Sequence, residues 1–224
     1  MTVGLQQKGH GMTTAQRRAR EKARRQQDIL EAAKEVFFEK GIHRATVDDV
    51  AAQAEVSKGT VYLYFQSKES ILAHLLLEGL SILLSQLEVA YAPQEPLSAE
   101  QHLRQLVAAY WQFAQTYPDY FRLLMALDRG RFREKVSAEM YQQILAESTR
   151  GLELAAKAIR QGKEEGVFTV DDPLLTAGVL WGALNGALTL MANPVRQEMI
   201  PVEPKAVFDA TFELFLRGLQ ANNR

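Results

Sequence analysis

The stretch VFFEKGIHRATVDDVAAQAEVSKGTVYLYFQSKESIL, residues 36–72, sets the architecture. Within it Thr46 precedes Val47, Val50, Ala51 and Ala54, the i, i+3, i+4, i+7 spacing of one helix face, and Asp48 and Asp49 fall in the first turn, where a helix dipole favours carboxylates. A few residues on, a second short helix is predicted from about Ser57 to Phe65, burying Val61 and Phe65. Ser67 then caps a long helix, with Glu69 and Ser70 in its first turn, that runs to about Ala90 and spans roughly 36 Å. Upstream, Thr13 or Thr14 can cap a first helix reaching about Lys40, with Ile29, Ala33, Val36 and Phe37 on one face and Gly41 as its stop.

The same spacing of three and four continues nearly to the end of the chain, and strand-like alternation between turn residues is absent, so the fold class is all-α. YAPQEPLS (91–98) interrupts the long helix with two prolines, and further helices are predicted at 99–117, 119–128, 131–162, 172–192 and 203–221. From Pro173 to Val195 there is no charged residue, and Gly178, Gly182 and Gly186 repeat the small-xxx-small step of membrane helix pairs. Thr176, Asn185 and Thr189 interrupt that run and no basic flank precedes it, so the expectation is no membrane span but a fully buried helix. Its glycines let another helix approach closely, most simply in a homodimer, where Val207, Thr211, Leu214 and Gly218 of the last helix supply a matching stripe.

A chain of 224 residues with 47% hydrophobic and 24% charged residues is an ordinary globular composition. Without cysteine it has no disulfide framework, thiolate chemistry or sulfur-ligated zinc, and the opening MTVGLQQKGHG lacks the apolar core of a signal peptide, so a cytoplasmic location is expected. Net charge is −1, but it is unevenly spread: residues 1–25 hold seven Lys/Arg against Glu21 alone, 1–70 carry a net +3, and 71–224 a net −4. Such asymmetry points the N-terminal part at a polyanion, or else marks a solvated helix start.

Two short helices joined by a tight turn, 46–54 and 57–65, have the dimensions of a helix-turn-helix, whose second helix enters the DNA major groove. That second helix is unusual for a core element, because Lys58, Gly59, Thr60, Tyr62, Leu63 and Tyr64 crowd its surface with donors, a glycine and aromatics. Glycine costs a helix about 1 kcal/mol relative to alanine, so its presence suggests the close approach of something large, such as a phosphate backbone.

Residues 36–72 resemble the DNA-binding domain of TetR-type bacterial transcriptional regulators, on Ser57-Lys58-Gly59, Tyr62-Leu63-Tyr64-Phe65 and Ser67-Lys68-Glu69. IRQGKEEGVFTVDDP (159–173) is similar to a stretch of that family's C-terminal domain. The resemblance implies an N-terminal three-helix DNA-binding domain (25–70), a linking fourth helix (67–90) and a larger helical domain (71–224) that dimerises and binds a small molecule, behind a basic arm (1–24) expected to be partly disordered. It further implies that Ser57, Lys58, Gly59, Thr60, Tyr62 and Tyr64 face a double-stranded DNA operator, while Thr46 and Lys68 hold phosphates. Helix N-termini suit that second role, and Lys58 is the best reader of base edges, with Thr60 and Tyr62 behind it. Glu55 stands where the family often has glycine, which costs about 1 kcal/mol of strain if the turn needs a positive φ. The basic arm either frays or reaches the minor groove or phosphates.

Catalysis finds little support. His10, His43, His74 and His102 are scattered with no HExxH, the pairs Asp48–Asp49, Glu164–Glu165 and Asp171–Asp172 read as helix-start or solvated charges, and no glycine-rich loop or cofactor motif occurs. The larger domain does carry pocket material in Tyr110, Trp111, Phe113, Phe121, Met125, Tyr141, Trp181 and Asn185. Trp111, Met125 and Asn185 are the leading ligand candidates, with Tyr110, Phe121 and Trp181 beside them, and such a lining suits a hydrophobic or planar effector. Two function classes follow: a ligand-responsive DNA-binding regulator, most simply a repressor, or a helical carrier or enzyme that kept the head fold without operator binding.

Overall fold

The computed structural model describes residues 13–92, 97–126 and 132–220, and these are helical with no strand among them. The chain divides into two compact units, Met1–Leu75 and Leu76–Arg224. The boundary falls inside a continuous helix, a little beyond the 70/71 division read from the sequence.

The first unit holds α1 (Thr14–Lys40), α2 (Val47–Gln53), α3 (Lys58–Tyr64) and the start of α4 (Lys68–Tyr91). Thr13 caps α1 in a reciprocal box with Gln16, and Gly41 ends it at φ +82°, where L side chains are strained. The helix therefore covers residues 14–24 of the proposed arm, while residues 1–12, including Lys8 and His10, lie outside the described part. Ile29, Ala33, Val36 and Phe37 are buried as the periodicity requires, and Val50, Val61, Phe65, Ile71 and Leu75 of the same unit are buried with them.

The second unit continues with α5 (Ala99–Thr116), α6 (Pro118–Ala126), α7 (Phe132–Lys135), α8 (Ala138–Glu164), α9 (Pro173–Met191), α10 (Pro194–Met199) and α11 (Pro204–Gln220). The two prolines of 91–98 and the predicted ends at 128 and 221 fall outside the described residues. Two helix predictions need correction. The single helix predicted over 131–162 is two, because Ser137 caps a new start by accepting from the Met140 N–H. The unpredicted α10 begins where Asn193 accepts from the N–H groups of Val195 and Arg196, with Pro194 at its first position.

The core of this unit is built where α8 packs on α5 and α9, and α9 on α11, around Leu103, Phe113, Ile159 and Phe208. α9 is not fully buried, which corrects the sequence expectation. Ala177, Leu180, Leu184 and Met191 form one buried stripe, while Leu175 is 67% and Trp181 48% exposed on the other side. Both α4 and α9 are long and apolar enough to cross a bilayer by length and composition.

Candidate nucleic-acid interface

Thr46 caps α2 with its hydroxyl accepting from the Asp49 N–H at 3.2 Å, and Asp49 returns the bond by accepting from the Thr46 N–H at 2.8 Å. Lys40 reaches the same carboxylate at 2.7 Å, and with the Thr46 bonds it holds the Asp49 carboxyl well below the usual carboxylate range. Asp49 is thus the pivot that closes the cap at the start of α2 with Thr46 and ties it to the end of α1 through Lys40. The turn that follows requires Glu55 at φ +53°, so a non-glycine residue occupies the left-handed region at the position the sequence reading singled out.

α3 begins at Ser57, whose hydroxyl accepts from the Thr60 N–H at 3.1 Å and lies 2.9 Å from the Thr60 hydroxyl. Val61 is its buried anchor, while Tyr62 and Leu63 stand 47% and 79% exposed. Thr60 and Tyr64 are half-buried. A Cβ on Gly59 would meet only the Ser57 hydroxyl, at 3.8 Å, so nothing within the chain requires glycine there. Lys58 forms an exposed ion pair with Asp48 of α2 at 2.8 Å, which raises its pKa. Lys68 takes a different place from an outward clamp: its ammonium donates to the Ala45 carbonyl at 2.6 Å and lies 5.7 Å from the Phe37 ring centre, so it ties the start of α4 to the α1–α2 connection.

In the second unit the ligand candidates separate into two groups. Tyr110 donates to the Asn185 side-chain carbonyl at 2.5 Å and meets Phe121 edge-on, with ring centres 6.2 Å apart. Burial pushes the Tyr110 phenol up, opposed only in part by Trp181 and Asn185. Trp111, one residue along α5, turns instead to Phe208 at 5.0 Å and lies under the Lys205 ammonium at 5.5 Å. Met125 is half-buried towards the end of α6. A surface cleft of about 290 Å³ runs between α5 and α11, floored by Val107, Phe208 and Phe212 and edged by Arg104 and Lys205, and none of the six ligand candidates lines it.

Two family models match the chain. The one for bacterial regulatory proteins of the tetR family covers residues 29–75, and the one for the tetracyclin repressor-like C-terminal domain covers 103–215, about half of the sequence. The chain belongs to the TetR family. Its relatives include the uncharacterised HTH-type regulator YfiR of Bacillus subtilis, 29% identical over 75% of this chain and 79% of YfiR. The HTH-type repressor NicS of Pseudomonas putida is 27% identical over 73% of this chain and 74% of its own length. Among solved structures the TetR-family regulator PfmR of Thermus thermophilus superposes with a TM-score of 0.64 at 27% identity, covering 85% of this chain and 98% of PfmR. The HTH elements of this TetR-family member are therefore α2 and α3, carried on α1 and followed by a helical C-terminal domain.

Proposed function

We propose that this TetR-family member is a cytoplasmic repressor that acts as a homodimer on a palindromic duplex operator and is released by an apolar or planar small molecule, binding rather than catalysing. The observation that carries the reading is Gly59. It sits exposed in the first turn of α3, costs helix stability, and has room for a Cβ on the protein side, so its smallness serves something outside the chain. Beside it Lys58, Thr60 and Tyr62 offer donors to base edges and phosphates. A two-fold dimer sets two such helices about 34–36 Å apart, in successive major grooves.

Dimerisation through α9 and α11 is supported by their uncovered apolar face. Leu175, Val179, Trp181 and Leu214 are exposed, and Gly178, Gly182, Gly186 and Gly218 face open space. This accounts for the apolar α9 without a membrane, as one partner of a four-helix contact. The effector reading rests on Tyr110, Phe121, Trp181 and Asn185, which combine aromatic surface with the polar groups that meet at the Tyr110 hydroxyl; α4, continuous from Lys68 to Tyr91, is the covalent route from the second unit to the first.

Retardation of a fragment from upstream of the gene tests the reading. Wild type should shift it in preference to mixed-sequence duplex, Lys58→Ala should lose about 1–3 kcal/mol of discrimination at one base position, and an apolar effector should release the complex in wild type but not in Asn185→Ala. Absence of any preferred fragment at about 150 mM salt would favour the carrier alternative.

A further inference from the structure

Residues 14–25 of α1 extend well before Ile29, the first residue of α1 in the buried core, and all of them are exposed. They carry Arg17, Arg18, Arg20, Lys22, Arg24 and Arg25 against a single acid, Glu21. The segment is helical for local reasons: a Thr13–Gln16 capping box, alanines at 15, 19 and 23, long straight side chains, and continuity with an anchored helix that spares it the nucleation cost. Its charge nevertheless opposes its position. Arg17 and Arg18, nearest the helix start, meet the positive end of the helix dipole, where an acid would stabilise by about 0.3–1 kcal/mol.

The six cations form two adjacent stripes. Arg17, Arg20 and Arg24 stand at i, i+3, i+7, and Arg18, Lys22 and Arg25 at i, i+4, i+7. The second stripe runs on into Ile29, Ala32 and Val36, so the face that α1 buries against its own unit is continued outward as a basic face, and the cations from Arg17 to Arg25 span about 12 Å of helix. The face opposite the cations carries only the small side chains of Ala15, Ala19 and Ala23, without the Leu, Phe or Trp that a helix lying in a lipid surface buries.

We propose that this basic extension of α1 is a second DNA-binding element, lying along the phosphate backbone of the duplex beside the operator half-site. Charge complementarity identifies the occupant. Duplex DNA offers one phosphate charge per about 1.7 Å of axis, enough to face every cation of the stripe that meets it. The contact is sequence-independent, strengthens affinity and positions α3, and a phosphate near the helix start turns the unfavourable dipole term into a favourable one. The proposal rests on the operator-binding reading above.

The test is the salt dependence of binding to a 40-base-pair mixed-sequence duplex and to the preferred upstream fragment, for wild type and three triple variants. Two neutralise the stripes, Arg17→Gln/Arg20→Gln/Arg24→Gln and Arg18→Gln/Lys22→Gln/Arg25→Gln, keeping helix propensity. The third, Arg133→Gln/Lys157→Gln/Arg160→Gln, removes equal charge from the second unit. At least one stripe variant should flatten the slope of log affinity against log salt by about 2–3 per protomer, while the third leaves it unchanged. Flattening by one stripe alone supports the proposal and names the face that meets DNA. Equal slopes for all four proteins overturn it, as does wild-type binding to phosphatidylserine vesicles that exceeds binding to the duplex. If wild type shows no preferred fragment, the operator reading itself has failed, and the slope on mixed duplex still reports on the extension.

Discussion

The ring of Phe168 occupies the space that a Cβ on Gly162 would need, its Cδ2 falling well inside van der Waals contact of that position. The Gly162 carbonyl accepts from the N–H groups of Val167 and Phe168 at 2.9 and 3.0 Å, so the chain folds back over the end of α8 and drops the phenyl into the core. Gly166, at φ +72°, makes the reversal. The 159–173 stretch that resembles the family's C-terminal domain is therefore a helix stop with its plug. Gly162→Ala should lower stability by about 1–3 kcal/mol in urea denaturation, by overpacking. Gly166→Ala should cost about 1 kcal/mol through the backbone alone. A neutral Gly162→Ala would mean that the Phe168 ring has room to move.

Glu55 is the mirror case, a side chain where the backbone favours glycine. At φ +53° it carries strain that a glycine in its place would not, so Glu55→Gly should raise the thermal midpoint, by up to about 1 kcal/mol equivalent, whereas Glu55→Ala should gain nothing. Equal effects from both would place the strain elsewhere in the turn.

Most of the fold was legible because its signals are local. Thr13, Thr46 and Ser67 all cap helices where their residue types suggested starts, and Gly41 and Glu55 lie in the turn conformations expected of those positions. The break at Ser137 carried an equally local signal, but the apolar spacing on either side outweighed it, and α10 was missed because a helix of six residues is too short to show a periodicity. The sites were less legible because periodicity defines a face and not its cover. Tyr110 and Trp111 are neighbours on α5, yet one turns to α9 and the other to α11. α9 looked fully buried because it is apolar all round, whereas one chain covers a single side of it.

Lys68 illustrates the same limit, since its partner lies far away in sequence. With its ammonium on the Ala45 carbonyl, Lys68→Ala leaves a partly buried acceptor unpaired and should cost about 1–3 kcal/mol of stability. A pure phosphate clamp would flatten the salt dependence of DNA binding and leave the thermal midpoint alone. Measuring both separates the roles, and an unchanged midpoint would sink the structural one.

Asp49 makes the first unit sensitive to acid. Lys40 and Thr46 depress its carboxyl in the folded state, so its contribution is complete above the ordinary carboxylate value, near 3.8, and is lost as pH falls through the lower folded value. Asp49→Asn keeps an acceptor for Thr46 but gives up the charge that Lys40 pairs with. The thermal midpoint of wild type should therefore exceed that of Asp49→Asn at about pH 7, and the gap should close as pH drops well below about 4. A gap that persists at low pH would assign the effect to the cap rather than to the charge.

Unlike Gly162, Gly182 has nothing within 4 Å of a Cβ position, so a larger side chain there leaves the fold of one chain undisturbed. Its cost arises only when another helix approaches, where Gly178, Gly182 and Gly186 would let two α9 helices close to near contact. Gly182→Leu should therefore preserve helical content and thermal unfolding at low concentration, while weakening self-association by at least about tenfold, which is about 1.4 kcal/mol. Sedimentation at micromolar concentration should show about twice the chain mass for wild type and a shift towards one chain mass for the variant. Specific DNA binding should fall with it, because one HTH on one half-site forfeits the second set of contacts. If Gly182→Leu sediments as wild type does, the glycine stripe is not at the contact, and the exposed Leu175, Val179 and Trp181 need a different cover.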